Sequence, residues 1–380
     1  MFEPPRLYHR SSADLQPLLV HTCMDFLDVR HRECATRECE LMWNPDRYRD
    51  CDYGLGHDDS FEPDVQVDEA FVPVADEPYI QTVLGPISPE NAGITLVGEH
   101  LYANPAQLQS DQANYQLTDR EAALVDLETF FTVGGRTIVD TTSAENGRST
   151  EALVWLAQHA PVNIVASSGV NPGGTPDNPS ATLWLKQELT EGLDGTTAKP
   201  GLLTCAMQND ADSLKASFRL AAEYQRQTGL PVMLRERAAT AAFQLPEAAI
   251  EKGIAASQLV VRSDSWSEFE ARADDIVQLG SYLLVDGLGN KARGSDLKMA
   301  ELVARLVEHG YRNQILLSHG FDRRSLLTGY DGRPGYGYII EQFAIMLLEA
   351  GVAAPDVRVM LVDNCASALS VQPHGSELDA

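Results

Sequence analysis

Beyond about residue 79 the chain settles into a regular alternation of apolar and mixed segments. Short apolar, β-branched runs occur at Ile94–Val97, Thr137–Asp140, Val162–Ala166, Leu202–Cys205, Pro231–Arg235, Gln258–Arg262, Tyr282–Asp286 and Gln314–Ser318. Between them lie amphipathic stretches such as Thr150–His159, Ala211–Thr228, Ser267–Leu279 and Asp296–Glu308, with apolar residues at helical spacing. Strands that are apolar almost throughout are buried on both faces, and helices between them make the strands parallel. Eight such units across residues 79–370 predict an α/β fold, the (β/α)8 TIM barrel, which takes ~250 residues plus its loops. An open doubly wound sheet is the runner-up, but no Gly-x-Gly-x-x-Gly follows the first strand.

Residues 1–78 break the pattern and are expected to form an irregular extension packed on or near the barrel mouth, and residues 371–380 a flexible tail. The extension holds Cys23, Cys34, Cys39 and Cys51 together with His9, His21, His31 and His57. Zinc ligands usually come as tight pairs such as Cys-x-x-Cys, and the spacing here is looser. Buried reduced thiols are therefore the default for these four cysteines, with a zinc site as the alternative.

Composition narrows the partners. A net charge of −26 argues against nucleic acid and against anionic membrane surfaces. No run of 18 apolar residues and no apolar signal core are present, which predicts a soluble, cytoplasmic protein. A homodimer is compatible with this picture.

Barrel chemistry gathers at the C-terminal ends of the strands. There the sequence offers Glu99, His100, Asp140, Cys205, Arg235, Glu236, Arg262, Asp264, Asp286 and His319. Successive strand residues point to opposite sides, so Glu99 and His100 need not share one pocket. Imidazole titrates near neutrality, which makes His100 and His319 candidate acids or bases. Cys205 is a nucleophile only if a neighbouring cation lowers its pKa; the bland reading is an inert buried thiol.

Several stretches resemble the phosphotriesterase-like family of the amidohydrolase superfamily. They are IQTVLGPISPE from residue 80, GITLVGEHLY from residue 93, TIVDTT from residue 137 with Gly147-Arg148, GLPV from residue 229 and ILLSH from residue 315. Gly329–Gly332, Gly335–Ile340 and Leu361–Asn364 extend the resemblance to the last substrate loop and final helices. The resemblance implies the barrel fold and a binuclear metal centre held by four His, an Asp and a bridging carboxylated Lys, which activates a water. Here the first His position is Gly98, while His100 remains at the second. The bridging Lys position falls on Thr204, the fifth-strand His on Arg235, the sixth-strand His on Arg262-Ser263, and the final Asp on Gly320.

Arginine cannot ligate a cation and stays charged, but its fork binds carboxylate or phosphate. The expectation is therefore a metal-independent enzyme, without cofactor, performing acid–base chemistry on an anionic small molecule. Catalytic candidates are His100, Glu99, Asp264 and His319; substrate-binding candidates are Arg235, Arg237, Arg262, Asp322, Tyr330 and Tyr336. The competing bland view is that the arginines pair with nearby acids in a binding protein without activity. A third reading has the N-terminal Cys/His segment rebuild a zinc site beside His100, against the repulsion of a cation by Arg235 and Arg262.

Overall fold

A computed structural model describes residues 77–105, 113–169, 179–205, 211–236, 245–263 and 266–371. The cysteines and histidines of the N-terminal segment, and with them Arg237 and Asp264, lie outside the described residues. A small antiparallel hairpin, β1 (Ile80–Thr82) and β2 (Gly85–Ile87), precedes the barrel.

Eight parallel strands follow in chain order: β3 (Ile94–Glu99), β4 (Gly135–Asp140), β5 (Asn163–Gly169), β6 (Leu202–Cys205), β7 (Val232–Glu236), β8 (Leu259–Ser263), β9 (Tyr282–Val285) and β10 (Ile315–Leu317). Every strand pairs with its sequence neighbour, so the order never reverses and the open doubly wound alternative falls away. The helices on the outside include α1 (Arg120–Thr132), α2 (Thr150–His159), α3 (Pro179–Thr190), α4 (Ala211–Thr228), α5 (Leu245–Glu251), α6 (Trp266–Gln278) and α7 (Asp296–Glu308). Local chemistry starts them where expected. The Asp119 side chain accepts from the Ala122 amide at the start of α1, and Ser149 accepts from the Ala152 amide at the start of α2.

The core sits inside the barrel. Val97, Val139, Val165, Leu202, Met233, Val260, Leu284 and Leu316, one from each strand, share a single buried cluster. Cys365 and Leu369, from the last helix (Asn364–Leu369), join that cluster. Burying each large apolar side chain stabilises the fold by ~1.5–3 kcal/mol. Among the described residues, no helix is long and apolar enough to cross a membrane.

Ladder pairing runs unbroken from β3 to β10, and the seam between those two strands is fastened at the mouth by one carboxylate. Glu99, with no exposed surface, accepts from the Ser318 hydroxyl at 2.7 Å, the His319 amide at 2.8 Å and the Phe321 amide at 3.1 Å. The His319 ring nitrogen Nδ1 lies 3.3 Å from the same carboxylate. Burial alone would raise the Glu99 pKa, but His319, the Ser318 hydroxyl and the His319 amide outweigh it and bring it down to about 2.

A group whose pKa is depressed on folding contributes stability that is present above its unfolded value and lost as pH falls through its folded value. For Glu99 that window runs from about pH 4.5 down to about 2. The shift corresponds to a contribution on the order of 3 kcal/mol. Glu99→Gln should remove most of it, because an amide NH2 would then face backbone donors. Urea unfolding at pH 7 and at pH 3 reads this directly: the variant should be weaker at pH 7, with the gap narrowing at pH 3. Equal stability at pH 7 would show that the seam is held elsewhere.

Candidate active site at the barrel mouth

The site is built from the ends of β3, β4, β7, β8 and β9 and from the segment after β10. At its floor lies Arg262, the last described side chain of β8, only 1% exposed. Its Nε is 2.8 Å from Asp286 Oδ2, and its Nη1 donates to the Gly98 carbonyl at 3.1 Å and to the Thr141 hydroxyl at 3.4 Å. Burial raises the Asp286 carboxyl pKa, while Arg262, and after it Arg293, pull it down.

Two glycines make room for that guanidinium. A Cβ on Gly98 would stand 3.3 Å from Arg262 Nη1. One on Gly320 would fall 2.6 Å from Arg262 Nη2 and 2.4 Å from Asp286 Oδ1, closer than real side chains approach. Both glycines also have positive φ, +129° at Gly98 and +59° at Gly320. These are two of the positions from which the family resemblance expects metal ligands to reach inward.

Above the floor stands His100, 6% exposed. Its Nδ1 is 2.9 Å from the Thr142 hydroxyl, and its carbonyl accepts from the Tyr336 hydroxyl at 3.1 Å. Burial, followed by the charges of Arg262 and Arg235, lowers its pKa to about 3, against the opposing pull of Asp322 and Glu99. Around neutral pH the imidazole is therefore neutral. Arg235, at the end of β7, is half-buried on the same side of the barrel as His100, whose charge balance it alters. Asp322 is held by Arg323, Nε to Oδ1 at 2.8 Å. Burial would raise its pKa, but Arg323, then His100 and Arg293, outweigh that and lower it.

Several expected residues have other tasks. Glu99 has both carboxylate oxygens committed to the β10 segment, so its role is structural rather than that of a base. His319 is fully buried, with Nδ1 on Glu99 and Nε2 accepting from the Ile339 amide at 3.3 Å; both ring nitrogens are engaged. The Tyr330 hydroxyl bridges the Asp119 amide (3.0 Å) and carbonyl (3.2 Å) at the start of α1. Tyr336 is buried and ties the loop to the His100 backbone, which makes it a roof post. Arg262 is buried at the floor. Cys205 is buried and its thiol is pushed up to about 12, the inert reading.

One residue escaped the sequence reading. Arg293 follows β9 in a loop that folds back tightly, since a Cβ on Gly287 would meet Arg293 Cβ at 2.9 Å. Its charge bears on both Asp286 and Asp322. No spacing signal marks it; the tight turn at Gly287 was the nearest clue.

Residues 78–369 match the family model described as the phosphotriesterase family. The chain belongs to that family. Among its relatives, an N-acetyltaurine hydrolase of Xenopus tropicalis is 27% identical over 336 residues, covering 75% of this chain and 96% of that protein. The Rattus norvegicus N-acetyltaurine hydrolase is 28% identical over the same length and coverage. Among solved structures, a lactonase from Listeria monocytogenes superposes with a TM-score of 0.70 at 23% identity, over 77% of this chain and 99% of that one. A resiniferatoxin-binding protein from Rhodobacter sphaeroides superposes at 0.66 with 26% identity, over 77% and 94%.

The residues present do not fit the binuclear centre of the phosphotriesterase-family pattern. Of the expected ligand positions, His100 alone carries a nitrogen or carboxylate donor, and the Arg262–Asp286 pair fills the space beside Gly98 and Gly320. Among the described residues, no group of three His, Cys, Asp or Glu is placed to hold a metal ion.

Removing one partner of a buried ion pair costs ~3–5 kcal/mol, whereas replacing both with apolar side chains is often neutral. Asp286→Asn should therefore lower unfolding stability by about that amount, and the double variant Arg262→Met/Asp286→Leu by much less. Denaturant unfolding of the three proteins checks this. Equal losses in single and double variants would mean that the pair does not organise the floor.

Proposed function

We propose that this chain is a hydrolase-family enzyme that acts on a small anionic amide or ester without the binuclear metal centre. The observation that carries the reading is the Arg262 guanidinium, neutralised by Asp286 and seated where Gly98 and Gly320 leave room for it. A guanidinium there fills the space and repels a cation placed beside it. The names of the relatives support an anionic substrate, since N-acetyltaurine is an amide bearing a sulfonate. The substrate's anionic group is taken by Arg235, with Arg293 as the second cation. His100 is the proton-transfer group, because His319 has both ring nitrogens engaged. An anion bound beside Arg235 offsets the positive field that depresses His100 and raises its basicity when substrate is in place.

A binding protein without turnover is the second reading. The low basicity of His100 in the free protein favours it.

The test uses the full chain, treated with a chelator and assayed with N-acetyltaurine and with N-acyl amino acids of similar size. Turnover should survive chelation and fall about 100-fold or more in His100→Asn and in Arg235→Gln, with circular dichroism unchanged. Activity that disappears on chelation and returns with zinc would overturn the metal-independent reading. Binding without turnover, equal in wild type and His100→Asn, would establish the binding protein.

A further inference from the structure

The eight core residues, one from each strand, fix which way the strands face. Side chains alternate along a strand, so the next inward position lies two residues further on. On β8, β9 and β10 those positions are Arg262, Asp286 and Ser318, and that side of the mouth is filled. Arg262 Nε lies 2.8 Å from Asp286, the Ser318 hydroxyl donates to Glu99 at 2.7 Å, and all four side chains are buried. On β5, β6 and β7 the inward positions near the strand ends are Gly169, Thr204 and Arg235, and each keeps part of its surface exposed. Contacts on the other face agree with the alternation: the Ser168 hydroxyl points away from the barrel interior and donates to Glu188 of α3 at 2.6 Å.

Gly169 is a glycine that the fold does not require. Its φ lies outside the positive region, so the backbone asks for no glycine there. A Cβ at Gly169 would meet, among the described residues, only the Thr204 hydroxyl, at the ordinary contact distance of 3.8 Å. Glycine weakens a strand, and inside one it often marks a place where a ligand comes close. Gly169 pairs directly with Thr204 in the ladder, so the two share one patch of the inner wall. The Thr204 hydroxyl donates to the Ser168 carbonyl at 3.2 Å, which commits its proton and leaves Thr204 to shape the wall. One inward position below Gly169, Ser167 is 1% exposed, and its hydroxyl has no hydrogen-bond partner among the described residues.

We infer that the β5–β7 side of the mouth is a niche for the anionic end of the ligand, in which Gly169 and Thr204 set how bulky that end can be. The inference rests on the reading of Arg235 as the anion-binding residue and adds the walls beside it. Arg235 stands on the strand next to Thr204 and supplies the charge, while the absent side chain at Gly169 supplies the room. The ligand class that fits is a short unbranched chain ending in an oxyanion, carboxylate or sulfonate. Gly169 and Thr204 are specificity-determining residues in this account and take no part in proton transfer.

The experiment is calorimetric titration of the full chain with ethanesulfonate and with propionate, two anions of equal chain length and different head group. Wild type should bind at least one of them, and the tighter of the two names the head group. Gly169→Val and Thr204→Leu, which fill the same space from neighbouring strands, should each weaken binding about 10-fold or more. Gly169→Ala should melt no lower than wild type, because its Cβ enters open space. A clear fall in the melting temperature of Gly169→Ala overturns the inference, since the glycine then serves the fold. Should Gly169→Val fail to fold, Thr204→Leu carries the same test. Undiminished binding in the filled variants, with binding lost in Arg235→Gln, overturns the niche and leaves Arg235 as the anion-binding residue. Binding lost in the filled variants but kept in Arg235→Gln supports the niche and removes Arg235 from it. Failure of wild type to bind either anion overturns the inference outright.

Discussion

Glu99 places an ionised carboxylate, without solvent, between the first and last strands of the barrel, and everything at the mouth depends on how that charge is satisfied. Taking a carboxylate out of water costs several kcal/mol unless donors replace the water. All the donors come from one segment, the Ser318 hydroxyl, the His319 amide and ring, and the Phe321 amide. That requirement fixes the path of the chain after β10. It buries His319 beneath Phe321, carries Asp322 toward His100, and starts the loop whose Tyr336 hydroxyl returns to the His100 carbonyl. The seam and the site are thus one structure.

Near the seam, a buried guanidinium and carboxylate, Arg262 and Asp286, pair with each other. Metal centres and arginine floors make incompatible demands on the ends of the strands. A metal demands lone pairs directed inward, whereas an arginine demands acceptors and space. The glycines at 98 and 320 supply the space, and the Gly98 carbonyl, Thr141 and Asp286 supply the acceptors. One consequence reaches His100, whose basicity is lowered by burial and then by the charges of Arg262 and Arg235.

Membership of the phosphotriesterase family accounts for the frame. Shared frame and shared chemistry are separate matters, since function resides in the groups at the strand ends. Those groups have been rearranged around charge pairs, with Arg148 bound to Glu188 and Asp194 forming another buried network beside β5.

Eight strands and the helices between them were legible in the sequence because strand and helix periods are properties of neighbouring residues. The run Leu202–Cys205 and the helices Thr150–His159, Ala211–Thr228 and Asp296–Glu308 stand in the structure with the bounds their patterns suggested. Legible too was the substitution of Gly98, Arg235 and Gly320 at positions where the family resemblance expects ligands. The sequence could not say which polar side chains would meet. Glu99 and Ser318 are separated by 219 residues and Arg262 and Gly98 by 164, and only barrel closure brings them into contact. For the same reason Tyr330, a substrate candidate by sequence, bonds the Asp119 backbone at the start of α1, while Arg293, without any local motif, bears on the acids Asp286 and Asp322. Local periodicity determined the frame. Closure of the eight strands decided which charges face one another, because hydrogen bonding and Coulomb energy depend on distance in space and not along the chain.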